Sequence, residues 1–495
     1  MEEPTSALAG RPLAVGKTAI EEVIDVDQEL TRLIVAFAGA SAVWLVFGTL
    51  VGLYIALKFV WPDLGVSSVL AFGRLRPVHT NVVFWGFASQ SMIALALWVV
   101  PRTSQKSLHS TRLAWLAFAC INTAVLVGVL FLLSGVSNGS QEYREFIWPV
   151  MGTFWVGLVL LAYDLLMTVA HRSTEEIYIS NWYILAAFLW TAILVALAYL
   201  PGYQEGLGQT VMQGYYMHQG VGMWFTPLVL GTTYYFLPKF LNKPIYSYSL
   251  GVLAFWTQLV FYTLIGTHHF VFSPVPWSLQ TVAIVFSVGM AVPVVAGTAN
   301  FLLTMHGSWR TVAHSYTLPF ILVGVIFYFV ASMQGSAEAL RSMNKIWHFT
   351  DFTVAHSHMT MFGFVTFLVW GGLYGLLPRL TGREPPHLAV GMHFWLALVG
   401  IVVYSVPLMI GGWLKGNAWI EGLPFMDSVT LMAPYWTGRA VGGLLMFAAH
   451  LVFGYNVWRM TMGEGREEMG SRGGEGEEAG AELSPGNGEP AEAPA

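Results

Sequence analysis

The sequence predicts an all-α polytopic membrane protein, a bundle of about twelve transmembrane helices, and three observations carry that prediction. Of its 495 residues 55% are hydrophobic and only 10% charged, with a mean hydropathy of +0.60, whereas an average soluble domain has about 25% charged residues. Apolar runs recur at the length of about 20 residues that a hydrocarbon core of roughly 30 Å demands of a helix. The connections between runs are short, so sequence neighbours pack side by side and no soluble insert interrupts the series.

Residues 1–30, the first segment, are polar and carry Glu21, Glu22, Asp25 and Asp27. They lack the basic start and short apolar core of a signal peptide, so insertion relies on the first spanning helix. The runs follow near 31–58, 77–100, 113–135, 146–170, 179–201, 209–238, 246–271, 277–305, 312–333, 349–377, 388–414 and 433–460, each ended by Pro, Gly or charge. With their loops they form one domain over 31–462. Residues 463–495 are rich in Gly, Glu, Ala and Pro without apolar periodicity, which reads as a disordered acidic tail that holds much of the net charge of −5. No basic face offers a footprint for nucleic acid. The single cysteine, Cys120, excludes an intrachain disulfide, a Cys-built zinc or iron–sulfur site and a C-x-x-C-H haem attachment.

Orientation follows from cations near the helix ends. Arg102, Lys106, Arg112, Arg172, Lys239, Lys243, Arg310, Arg379 and Arg383 share one face with both chain ends, which assigns that face and both termini to the cytoplasm. The opposite face keeps Lys58, Arg74, Arg76, Arg144, Arg341, Lys345, Lys415 and Arg439, and so predicts an anionic group at that level.

Fourteen histidines occur, and ionisable residues at membrane depth are functional candidates by default. His109, His171, His306, His314 and His387 fall in or beside cytoplasmic loops and read as solvated. His393 and His450 are isolated in late spans and stay unassigned. His268 and His269, a quarter turn apart on a helix, point to one metal, which His218 on the preceding span completes as a three-histidine site suited to copper, iron or zinc. His356 and His358 are separated by about 200° and therefore suit two cofactors on opposite faces of one helix, each iron taking an axial imidazole. His79 in the second span supplies a second axial ligand to one of them. Arg74, Arg76 and Arg439 then suit haem propionates, since guanidinium binds carboxylate bidentately. Tyr262, seven residues before His269, projects from nearly the same helical face and can bring a phenol to the metal. Gly222, four residues beyond His218, leaves a gap that suits this phenol.

These residues resemble the catalytic subunit I of haem-copper oxidases, most closely the cbb3-type (C-family) cytochrome c oxidases. The resemblance spans roughly 30 to 460 and rests on GRLRPVHT around His79, YMHQGVG around His218, IYSYSL before the seventh span, YTLIGTHH from Tyr262 to His269, NKIWHFTDFTVAHSH from Asn344 to His358, and YNVWR at 455–459. It implies that His79 and His358 ligate a low-spin haem b, that His356 is the proximal ligand of a high-spin haem b, and that His218, His268 and His269 hold copper. It further implies that Tyr262 is the residue covalently joined to the copper-ligating His218, that His348 lies near the haem propionates, and that Glu142, with Glu145 beside it, takes part in a calcium site. The implied partners are haem c-containing subunits, cytochrome c, O2 and membrane lipid, in a bacterial cytoplasmic membrane. Ile147, Gln334 and Gly251 depart from the family pattern, which puts proton uptake and pumping in question, while Tyr234 and Ser249 suit a proton path.

The expected activity is reduction of O2 to water with electrons from cytochrome c, coupled to proton uptake. A nitric oxide reductase of the same superfamily is the alternative; its common forms place a Glu four residues after the first metal-ligating His, where this chain has Gly222. A cofactor-free transporter is the alternative from another class, but no internal repeat supports it.

Overall fold

The computed structural model describes residues 17–139 and 141–462, with side chains from residue 28 onward. The acidic tail over 463–495 and the first part of the N-terminal segment lie outside the described residues.

Twelve helical segments cross back and forth, and no strand occurs among the described residues. They are α1 (Lys17–Val60), α2 (Phe72–Ser104), α3 (Thr111–Ser134), α4 (Trp148–Ala170), α5 (Ile179–Ala198), α6 (206–241), α7 (Tyr248–Tyr262), α8 (Trp277–Met305), α9 (Leu318–Ala339), α10 (Asp351–Thr381), α11 (His387–Ile420) and α12 (Phe425–Met462). Ten are long and apolar enough to span a membrane. The other two are α6, which is long but carries many Gly, Thr and Tyr residues, and α7, which stops after 15 residues. Local chemistry sets the ends: the Ser110 and Ser247 hydroxyls accept the backbone N–H of Leu113 and Leu250 at the starts of α3 and α7, and Gly135 and Gly382 close α3 and α10 in the left-handed conformation.

Burial separates an inner from an outer set. The apolar windows of α2 and α10 are 89% buried, against 39–50% for the other spanning helices, so these two form the axis around which the rest are laid. α12 packs along α11 and α1, α3 along α4, and the turn Gly266–Phe270 after α7 packs on the first half of α6. A lipid-facing helix needs one packed face; α2 and α10 are apolar all round because protein surrounds them.

In three places the helix loosens to π-helix: Val82–Ala88 in α2, Gly220–Phe225 in α6 and Met359–Thr366 in α10. Each begins within three residues of a candidate ligand, His79, His218 or His358. A π stretch shifts the backbone bonding from four residues to five, and at each one a hydroxyl caps the shift: Ser89 donates to the Phe84 carbonyl at 2.9 Å, Thr226 to that of Val221 at 3.1 Å and Thr366 to that of Met361 at 2.7 Å.

A candidate haem and copper centre

The first pair of candidate ligands meets across the inner helices. His79 on α2 lies against α1, where its Nδ1 donates to the Gly48 carbonyl at 2.7 Å, and His358 on α10 donates from Nδ1 to the Val354 carbonyl at 2.8 Å. A carbonyl can only accept, so both rings carry hydrogen on Nδ1 and leave Nε2 free for a metal. The ring planes are within 14° of parallel and the centroids are 6.3 Å apart. Two metal–nitrogen bonds of about 2 Å and two ring half-widths of about 1.2 Å sum to about 6.4 Å, so the gap fits one six-coordinate iron. Room for His79 comes from Gly52, where a Cβ would meet its ring at 2.5 Å. The cavity between the rings has a volume of about 410 Å³ and is lined by Arg76, Arg439, Lys415, Asp351 and Tyr404 among others.

A second cavity, of about 520 Å³, lies on the other side of α10 and gathers His356, His218, His268, His269 and His348. Val354, Ser357 and Met361 line both cavities, so two turns of α10 are the wall between them, with His356 on one side and His358 on the other. His356 donates from Nδ1 to Gln334 Oε1 at 3.2 Å, again freeing Nε2, and Gly335 makes room for the ring. The other three imidazoles hold their ligand atoms within 4.8 Å of one another. His218 Nδ1 faces His269 Nε2 at 2.8 Å. His268 Nδ1 meets Ser287 Oγ at 2.6 Å, and since that hydroxyl itself donates to the Ala283 carbonyl, the imidazole is the donor and its Nε2 is left free. The donor set is thus Nδ1 of His218 with Nε2 of His268 and His269, all nitrogen, with space in front.

Tyr262 completes this side, but not by the route its spacing suggested. α7 ends at Tyr262, and His268 and His269 stand on the 3-10 turn Gly266–Phe270, so no continuous α-helix relates the phenol to His269. The alignment is made across helices: the Tyr262 ring stacks on His218 with centroids 5.1 Å apart and 19° between planes. Gly222 is indispensable to it, because a Cβ there would fall inside the phenol ring. Two glycines likewise let the turn approach α6, Gly266 against the Tyr215 backbone and Gly214 against the Gly266 carbonyl.

The outer-face residues divide. Arg439 and Arg76 line the first cavity, but Arg74 lies two residues, hence about 200°, from Arg76. It donates to the Leu133 carbonyl at 2.8 Å and lines neither cavity, contrary to its expected place at a propionate. Arg76 pairs with both Glu142 and Glu145 at 3.1 Å, and Asn81 donates to Glu145 at 2.8 Å. Burial pushes the Glu145 carboxyl up to about 7 against the pull of Arg76. His348 borders the second cavity, and burial lowers its imidazole to about 4. Sequence reading missed Asp351, which accepts from Lys415 Nζ at 3.1 Å and Trp436 Nε1 at 3.0 Å with Arg439 3.9 Å away, and it missed Ser287; only the adjacency of Asp351 to the histidine motif could have signalled the first.

Comparisons with known proteins show the family and the fold of this chain. A family model described as cytochrome c and quinol oxidase polypeptide I matches residues 32–445. A cytochrome c oxidase subunit 1 homolog of Agrobacterium tumefaciens (strain T37) is 32% identical over 88% of this chain and 84% of its own length. A cbb3-type cytochrome c oxidase subunit of Stutzerimonas stutzeri is also 32% identical, over 86% of this chain and 94% of its own. In fold, the chain is similar to a haem-copper terminal oxidase dimer solved by cryo-EM, with a TM-score of 0.74 at 16% identity over 88% of this chain and 84% of that one.

Proposed function

This chain belongs to the cytochrome c and quinol oxidase polypeptide I family, and from that premise we propose that it is the catalytic subunit of a terminal oxidase that reduces O2 to water. The observation that carries the reading is the pair of cavities divided by two turns of α10, with His358 facing His79 on one side and His356 facing the three-histidine cluster on the other. His79 and His358 would hold a low-spin haem b, His356 a high-spin haem b, and His218, His268 and His269 copper. When bound, these groups supply electron storage and an open coordination position for a diatomic substrate.

The chain's own residues do the rest. The backbone carbonyls of Gly48 and Val354, the amide of Gln334 and the hydroxyl of Ser287 fix which ring nitrogen each ligand presents. Tyr262, stacked on His218, would supply a proton from its phenol oxygen. Arg76 and Arg439, which line the first cavity, and His348, which lines the second, would hold haem propionates, and Glu142 is the acid proposed for calcium. Tyr234, buried with its hydroxyl 3.5 Å from Asn300 Nδ2 and stacked on Tyr183, belongs to the proton path, whereas Ser249 is exposed. Electrons come from cytochrome c through haem c-containing subunits, in a multi-pass arrangement in a bacterial cytoplasmic membrane with both termini inside, the side the cation asymmetry marks.

Elemental analysis of the purified complex, with haem quantified separately, tests the reading. One copper beside iron wholly accounted for by haem is the expected result. Iron in excess of haem without copper would move the assignment to nitric oxide reduction, against which stands Gly222, whose place is taken up by the Tyr262 ring rather than by an acid.

A further inference from the structure

His109 precedes α3 and His171 follows α4, in two different connections of the chain, yet the fold brings their imidazoles together. Their ring planes are within 10° of parallel and the centroids are 6.1 Å apart, close to the 6.3 Å between His79 and His358. With metal–nitrogen bonds of about 2 Å, two imidazoles sharing one ion have centroids about 5 Å apart at a tetrahedral angle and about 6.4 Å apart in a straight line. The pair falls inside that window. Its ring nitrogens are also available. His171 Nδ1 lies 2.8 Å from the Met167 carbonyl, which can only accept, so the imidazole donates there and its Nε2 is left for a metal. The His109 ring touches only His171 and the edge of Tyr163, at 5.7 Å, and neither of its nitrogens has a hydrogen bond among the described residues. Both histidines are exposed, so water can reach the remaining coordination positions.

The backbone beneath the two rings is fixed by buried groups. Asp164 and Thr168 on α4 are 0% and 1% exposed. Asp164 Oδ1 accepts the N–H of Ser110 at 2.7 Å, Thr168 Oγ1 accepts the N–H of His109 at 3.0 Å, and the Thr168 hydroxyl donates to the Asp164 carbonyl at 2.8 Å. His109 is thereby pinned to the last two turns of the helix that His171 closes. Beyond His171, the N–H of Ser173 donates to the Ser104 carbonyl at 2.9 Å and ties this corner to the end of α2. A carboxylate without exposure inside a spanning helix is costly, and the only partner of the Asp164 carboxylate is the residue next to His109; its Oδ2 has none. Two ligands whose main chains are already held in place lose little freedom when they close on an ion.

We infer that His109 and His171 form a binding site for one divalent transition-metal cation of the zinc class, on the face assigned to the cytoplasm and apart from the two cavities beside α10. Each imidazole gives one nitrogen, Nε2 from His171, and water fills the other positions. Imidazole suits zinc, copper and nickel, whereas magnesium and calcium take oxygen ligands, so the site selects against the two commonest divalent cations. A bound ion joins the connection before α3 to the end of α4 and so clips α2, α3 and α4 together at this corner.

The site stands independently of the reading of the haem and copper centre. Its test is a calorimetric titration of zinc chloride into the intact complex, freed of loosely bound metal, with wild type, His109→Ala and His171→Ala compared at neutral pH. The wild type is expected to take up one saturable zinc that neither variant binds as tightly, each being weaker by about tenfold or more. Because both side chains are exposed, the haem spectrum and oxygen uptake are expected to stay as in the wild type, which shows that the variants are folded. A large excess of magnesium is expected to leave the bound zinc in place. No saturable zinc in the wild type, equal zinc binding in the wild type and both variants, or displacement of the zinc by magnesium overturns the site.

Discussion

The two cavities on either side of α10 are held together by different parts of the molecule. In the His79–His358 cavity each candidate ligand is oriented by a main-chain carbonyl, of Gly48 and Val354, and sits on the α-helical turn just before a π stretch. In the other, side chains orient the ligands: Ser287 holds His268, Gln334 holds His356, the Tyr262 ring lies on His218, and two ligands ride on a 3-10 turn. A carbonyl cannot be mutated away, whereas a hydroxyl or amide can. The first centre is therefore robust to substitutions around its ligands, and the second can be adjusted by changing one neighbour at a time.

The sharpest break in that contrast is removal of a ligand itself. His79→Ala is expected to abolish the low-spin haem spectrum while the fold and the second centre persist; an unchanged bis-histidine signature would refute the assignment. Next in size, Tyr262→Phe should keep both haem spectra and stop oxygen turnover, as measured with an oxygen electrode, and normal turnover would remove the phenol from the chemistry. Ser287→Ala leaves His268 Nδ1 without its acceptor, and should lower copper affinity by about 10–100-fold in a chelator competition without moving the low-spin haem spectrum. Equal damage to both centres would erase the distinction drawn above.

The smallest effect lies in the outer loop. The folded Glu145 carboxyl sits at about 7, above its ordinary value of 4.5, so its contribution to stability is present in full below that ordinary value and is lost as pH rises through about 7. The loss amounts to at most about 3 kcal/mol. Thermal loss of the haem spectrum should therefore shift to lower temperature between pH 5 and pH 8 in the wild type, and less so in Glu145→Gln; parallel curves would count against it.

The chain by itself determined the all-helical membrane fold, the order of the long helices and the divergence of His356 and His358, because hydropathy and a helical period are local properties that each residue carries with it. Position in the apolar runs likewise separated the candidate ligand histidines of the two cavities from those in loops. Only the tertiary structure decided that α7 stops at Tyr262, that the phenol reaches His218 across the gap at Gly222, that Arg74 turns to the Leu133 carbonyl, and that Ser287 and Gln334 set the tautomers of their histidines. The π stretches after His79, His218 and His358 belong between the two, since the hydroxyls of Ser89, Thr226 and Thr366 stand ten, eight and eight residues beyond those histidines. Nothing in a spacing says which carbonyl a hydroxyl will meet, however, because that depends on where the neighbouring backbone runs.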